Sequence, residues 1–263
     1  MEDVIHVDEK LFNLTYDRAH FILTLDEEPP HRTTPNKRYV GRVMFFCAVA
    51  KPRYDTWANK KFDGKIGIWP FVTEEAARRT SKNRPAGTIE LKNESVTREA
   101  YTRMMMNNVL PAIISKWPRK WKTVYVQRDN ASAHLEACVL WNGPGLEVVV
   151  RNQPARSPDF NVLDLGYFAS IQALQQKRRV KNIRQLVDIV EESFHALGEE
   201  KLENVFSTLT SVMEQSMLVD GGNNYKIPHQ GKEKQRRGTG GLIQKPFCST
   251  EAVLSARAAA SST

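Results

Sequence analysis

The chain has 263 residues, with 38 Lys and Arg against 30 Asp and Glu, a formal charge of +8 and a pI near 9.4; it is long enough to bury a sizeable core, and its charge suits a polyanionic partner. Its three cysteines, Cys47, Cys138 and Cys248, are widely spaced and form no CxxC pair, which argues against a disulfide framework or a zinc module and for a reducing compartment. No basic-then-apolar leader opens the sequence and no apolar run approaches the roughly 18 residues of a membrane span, so a soluble intracellular chain with no membrane partner is expected.

Val4 to Val7, Phe12 to Tyr16, Val43 to Ala50 and the alternating Lys65 to Trp69 read as strands, most naturally antiparallel. Between them, Glu27 to Arg38 is polar and carries Pro29, Pro30 and Pro35, so it reads as a loop. Its basic half either touches a phosphate backbone or forms a solvated face. From Glu94 to Trp117 the period changes: Val96, Ala100, Met104, Leu110, Ile113, Ile114 and Trp117 share one stripe of a long core-packing helix, with Met104 to Met106 as gap-filling core. Trp117 and Trp121 sit in a basic turn, Lys116 to Lys122, where they either stack on bases or anchor the entry of the Thr123 to Gln127 strand.

Alternation follows: strand to Asp129, a helix from about Ser132 to Trp141, a break at Gly143-Pro144-Gly145, strand Leu146 to Val150, a loop, and a helix from about Asp164 to Lys177. Two amphipathic helices, about Ile183 to Leu197 and Glu200 to Leu218, end at Gly221-Gly222. Residues 1–222 thus read as one α/β domain. Residues 223–263 are basic and Gly-rich, then small and polar, and are expected to form a poorly ordered tail. Gly238-Thr239-Gly240-Gly241 lacks the following Lys and the strand-to-helix context of a phosphate loop.

Asp8, Asp129 and Asp164 each end or follow an apolar strand-like run. One such aspartate means little, because Asp suits turns and helix N-caps. Three from distant segments match what phosphodiester chemistry needs: charge builds on the attacking and leaving oxygens, and two divalent ions held by short carboxylates stabilise both ends. Mg²⁺ and Mn²⁺ prefer such oxygen ligands and keep positions open for substrate and water. If the Asp8 and Asp129 strands lie side by side, their carboxylates converge at one edge of the sheet, and Asp164 closes the site from the flank.

The flanking residues are more specific. His6-Val7-Asp8-Glu9-Lys10 followed by Phe12, Gln127-Arg128-Asp129-Asn130-Ala131-Ser132-Ala133-His134, and Gln153-Pro154-Ala155-Arg156-Ser157-Pro158-Asp159-Phe160-Asn161-Val162-Leu163-Asp164-Leu165-Gly166-Tyr167-Phe168 together resemble the catalytic domain of mariner-type DDE/D transposases, especially the plant and protist branch. The interval from Asp129 to Asp164 is typical of mariner elements. Gly222 to His229 is similar to a C-terminal motif of the family, so the likeness spans about residues 3 to 235.

The resemblance implies a ribonuclease-H-like α/β fold, a mixed sheet of antiparallel then parallel strands flanked by helices. It also implies Asp8, Asp129 and Asp164 as catalytic ligands of two Mg²⁺ or Mn²⁺ ions. Asp159 competes for the third role, but its Ser-Pro-Asp setting reads as a turn and the family places the ligand at the later aspartate. Glu9, Asn130, His134 and Asn161 are the candidate supports. Glu9 should point to the opposite sheet face if the strand continues; Asn130 either orients Asp129 or caps the next helix; His134 either approaches the phosphate or packs. The implied activity is DNA strand cleavage and strand transfer in the nucleus. Its partners would be transposon ends and target DNA, together with a second copy or a full-length transposase.

Complete members carry N-terminal helix-turn-helix modules that read the transposon ends, and the likeness here begins at about residue 3, so that specificity module is expected to be lacking. The interval from Asp8 to Asp129 is also long beside animal members, with the excess in the Pro29 to Arg38 loop and the Lys51 to Pro85 stretch. The alternative is an inactive or domesticated remnant that binds nucleic acid or a partner. Other ribonuclease-H-like nucleases, such as resolvases or retroviral-type integrases, usually place Glu where this chain has Asp164.

Overall fold

A computed structural model of the chain describes residues 1–14, 24, 26–28, 41–80, 84–118, 122–130, 138–227, 230–239 and 248–261. Ten strands are formed among these residues: β1 (Val4–Asn13), β2 (Arg42–Ala50), β3 (Arg53–Asp55), β4 (Lys60–Phe62), β5 (Lys65–Pro70), β6 (Val72–Ala76), β7 (Ile89–Asn93), β8 (Thr123–Arg128), β9 (Val139–Gly143) and β10 (Leu146–Asn152). Six of them make one sheet in the order β5-β2-β1-β8-β10-β9, while β3-β4 and β6-β7 are separate hairpins. β1 runs antiparallel to β2, from Ile5 opposite Ala50 to Asn13 opposite Arg42. It runs parallel to β8 only from Val4 opposite Tyr125 to His6 opposite Gln127. β8 and β10 are parallel, and β10 and β9 antiparallel.

The inner strands are buried on both faces, which is why β2 reads as an unbroken apolar run rather than an alternating one. Val43, Phe45, Cys47 and Val49 pack with Phe12 against helices α3 (Phe168–Gln175), α4 (Ile183–Ala196) and α5 (Glu199–Leu218). Phe46, Ala48 and Ala50 pack with Ile5, Val7, Val124, Val126, Val148 and Val150 on the other face, against Tyr101, Met105, Val109 and Ile113. Those residues lie on α1 (Arg98–Met104), a π-helical turn (Met105–Val109) and α2 (Leu110–Lys116). The result is the mixed, helix-covered sheet that the sequence led us to expect. Among the described residues no helix is long and apolar enough to cross a membrane.

Four elements differ from expectation. The single helix from Glu94 to Trp117 starts at an N-cap, Thr97, whose side chain accepts from Ala100 N, and it is interrupted by the wide turn at 105–109. Pro111 explains the interruption: it has no N–H, and its ring would clash with the carbonyl four residues back in a regular helix. The extra residue rotates the apolar stripe, so Met105 rather than Met104 is fully buried, while Met106 and Ile114 face outward. The helix expected from Ser132 to Trp141 is not formed at its C-terminal end, where Val139–Gly143 is strand β9; residues 131–137 lie outside the described residues. Pro144 and Gly145 make the two-residue connection to β10, with Gly145 at φ 78 as a type II turn requires.

The helix expected from Asp164 to Lys177 is a π-helical turn (Leu163–Tyr167) followed by α3, with Gly166 at φ 156 and ψ −11 inside the turn. Residues 223–263, expected to form a poorly ordered tail, include α6 (Lys232–Gly238) and α7 (Thr250–Ser261). Arg236 on α6 pairs with Glu200 and Glu203 of α5. On α7, Ala252 is buried and Ser255 Oγ donates to Met217 O at 2.8 Å. The Phe12 to Tyr16 strand continues β1 only to Asn13. Its last two residues, the Pro29 to Arg38 loop, Trp121 and the Pro228-His229 end of the C-terminal motif lie outside the described residues.

Candidate active site

Side-chain alternation along β1 decides which way each acidic group points. Ile5 and Val7 pack toward α1 and α2 while Phe12 packs toward α3 to α5, so Asp8 faces the α3–α5 side and Glu9 the opposite one. On β8, Val124 and Val126 occupy the α1–α2 face, which places Gln127 and Asp129 on the same side as Asp8. Because β1 and β8 are parallel neighbours paired at His6 and Gln127, continuing that register by two residues sets Asp8 abreast of Asp129. The strands stop pairing at this point, and the gap between them opens into a cleft of about 280 Å³ whose walls include Asp8, Asp129, Asn130, Arg156 and Asp164.

Asp164 arrives from the turn at Leu163–Tyr167. Its carboxyl hydrogen-bonds that of Asp8, and the pair sets the electrostatics of the cleft. Burial first and the Asp164 charge second push the Asp8 carboxyl up to about 8, and the Glu9 backbone N–H, donating to Asp8 Oδ1 at 2.8 Å, only partly offsets both. The fully buried Asn161 joins the two segments: Nδ2 donates to Val7 O at 3.0 Å and to Asp8 Oδ2 at 3.3 Å, and Oδ1 accepts from Leu163 N at 3.1 Å. Asp159 is not on the cleft wall; it lies near Tyr225, whose hydroxyl it pushes up after burial.

The other supports divide. Asn130 lines the cleft, and its Nδ2 donates to Gln153 O at 3.0 Å, bracing the loop that leads to Ser157. Glu9, on the far face, adds to the rise that burial imposes on the Tyr101 hydroxyl and is not among the residues lining the cleft. His134 lies outside the described residues. Two residues went unassigned in the sequence reading. Gln127 donates from Nε2 to Phe160 O at 2.8 Å, tying β8 to the turn at Pro158–Phe160. His6 is wholly buried, lowered to about 3 by burial and so neutral, and meets Phe206 edge-on at 5.4 Å. Both sit two residues before an aspartate on its strand, a spacing that places them on the same sheet face.

Comparison with known folds follows from this topology. The chain is similar to the crystal structure of the Mos1 mariner paired end complex with Mn, at 17% identity and a TM-score of 0.56, over 86% of this chain and 57% of that one. It is similar to the Mos1 transposase paired-end complex with left transposon end, at 17% identity and 0.54, over 84% and 56%. It is also similar to the Mos1 Strand Transfer Complex, at 18% identity and 0.55, over 85% and 56%. The fold is that of the mariner transposase. This chain spans a little over half the length of those transposase chains. No protein-family model and no curated protein matches it.

Mos1 structures of this fold are described with Mn and with Mg, and the cleft here has donor chemistry that suits a hard divalent ion. The carboxylates of Asp8, Asp129 and Asp164 supply oxygen donors, and Asn130 is among the other lining residues. The nearby Cys47 thiol is held protonated, first by burial and then by Asp8, and offers no thiolate. Among the described residues no three His, Cys, Asp or Glu side chains are already gathered into a cage. The mutual repulsion of Asp8 and Asp164 is the feature that fits a cation, because a positive charge between them relieves it.

Proposed function

We propose that this chain is the catalytic domain of a mariner-type transposase, acting on DNA by divalent-metal-dependent strand cleavage and strand transfer. The observation that carries the proposal is the placement of Asp8, Asp129 and Asp164, from three distant segments, on one cleft at the point where β1 and β8 part. In this reading Asp8, Asp129 and Asp164 would hold two Mg²⁺ or Mn²⁺ ions, which would supply Lewis-acid stabilisation of charge on the attacking and leaving oxygens. The chain's own contribution is placement. β1 fixes Asp8, Asn161 links Asp8 to the turn carrying Asp164, and Asn130 braces the loop from Gln153 to Ser157. Loss of a proton from the Asp8–Asp164 pair readies the site.

The implied partners are transposon-end and target DNA, with a second copy of the chain or a full-length transposase, and the implied location is the nucleus. Nicking of supercoiled plasmid by purified protein with Mn²⁺ tests the reading. Wild type should nick and an Asp129→Ala variant should not; equal nicking by both would refute the assignment. The formal charge of +8 favours a second reading, a non-catalytic remnant that binds DNA through its basic surface. That reading predicts salt-sensitive DNA binding with no cleavage by either protein.

A further inference from the structure

The cleft walls pose a charge problem. Asp8, Asp129 and Asp164 are all anionic when ionised, and so is every phosphate of a DNA backbone. Among the described residues that line the cleft, Arg156 is the one that carries positive charge. Three further facts single it out. Its φ of 57 lies in the left-handed region, which suits Gly or Asn and disfavours a long side chain. It is exposed and, among the described residues, its guanidinium has no ion-pair or hydrogen-bond partner. The loop that presents it is braced at both ends: Asn130 Nδ2 donates to Gln153 O at 3.0 Å, and Asn223 Nδ2 donates to Arg156 O at 2.7 Å.

An arginine that stabilises nothing in the fold, held in a backbone conformation that a smaller residue would adopt more easily, has its guanidinium available for a ligand. We propose that Arg156 is a substrate-binding residue that contacts a DNA backbone phosphate at the rim of the cleft. The inference rests on the reading of this chain as a DNA-cleaving transposase domain. The planar guanidinium can fork two phosphate oxygens and leave the carboxylates of the cleft free. The left-handed backbone at 156, fixed from Asn223, sets where the side chain leaves the loop.

Binding of a fluorescent DNA duplex, measured by anisotropy against salt without divalent ions, tests this. Loss of one phosphate contact should lower the slope of log K against log salt by about 0.9 and weaken binding about eightfold at 0.1 M salt. Arg156→Gly and Arg156→Asn should both show that loss while melting at or above the wild-type temperature, because each suits the backbone conformation. Arg156→Lys should keep the slope. Gly and Asn variants with the wild-type slope and affinity would overturn the inference alone, as would an affinity loss that tracks a fall in melting temperature. Wild-type protein with no salt-dependent duplex binding would overturn the functional reading and this inference together.

Discussion

Replacing Asp8 with Asn should stabilise the metal-free protein. The Asp8 carboxyl titrates near 8 in the fold, against an ordinary value of 3.8. At pH 7 the folded chain therefore keeps a proton on Asp8 that the unfolded chain has released, and that difference costs the fold about 4 kcal/mol. Asn has the same shape and no charge. It can accept from the Glu9 N–H or from Asn161 Nδ2 but not from both, and one lost buried hydrogen bond takes back about 1–2 kcal/mol. The net gain is about 2–3 kcal/mol, or roughly 5–10 °C in melting temperature for a chain of this size. The sign follows from a folded pKa raised above the unfolded one: the penalty is absent below about pH 4, grows through neutral pH and is complete above about pH 8. Thermal melts of both proteins with chelator, from pH 4 to 8.5, should show a gap that opens with pH. An Asp8→Asn variant that melts below wild type at pH 8, or a gap that does not change with pH, would refute the reasoning.

The same proton should compete with divalent ions. Stabilisation of wild type by Mn²⁺, followed as a melting shift against ion concentration, should need about tenfold more ion for each unit of pH below 8; an affinity unchanged between pH 6 and 8 would sink this. Asn161→Ala should cost about 2–3 kcal/mol in urea unfolding, because it strips partners from Val7 O and Leu163 N in a fully buried setting. A loss below about 0.5 kcal/mol would show that the link between β1 and the Asp164 turn is not structural.

How much of this was legible depended on whether a residue's role was local. The strands could be read because β2 and β8 state their burial in their own composition, and the adjacency of the Asp8 and Asp129 strands was foreseeable from where the aspartates sit. The β9–β10 hairpin was legible in principle: Pro144-Gly145 between Val139 and Val150 is a two-residue turn signal, but it was read as a break after a helix. The wide turn before Pro111 was harder, since a proline marks a disturbance without saying how the helix absorbs it. Arg156 was not legible at all. Its left-handed backbone carries a bond from Asn223, which lies far along the chain, and sequence proximity to Asp164 gave no hint that both line the cleft. Asn161 was named as a support, yet its bond to Val7 O needed the packing of the Asp164 turn against β1.

The cleft has one fixed jaw and one adjustable jaw. Asp8 lies within a strand paired with β2 on one side along most of its length and with β8 on the other up to His6, so it cannot shift without disturbing the middle of the sheet. Asp164 rides on a single five-residue turn, which is non-helical at Gly166 and tied to β1 through Asn161. Of these two carboxylates, Asp164 is therefore the one whose position can change without disturbing the sheet. A variant that stiffens or displaces that short turn would alter the grip of the site while leaving the sheet, and the position of Asp8, as they are.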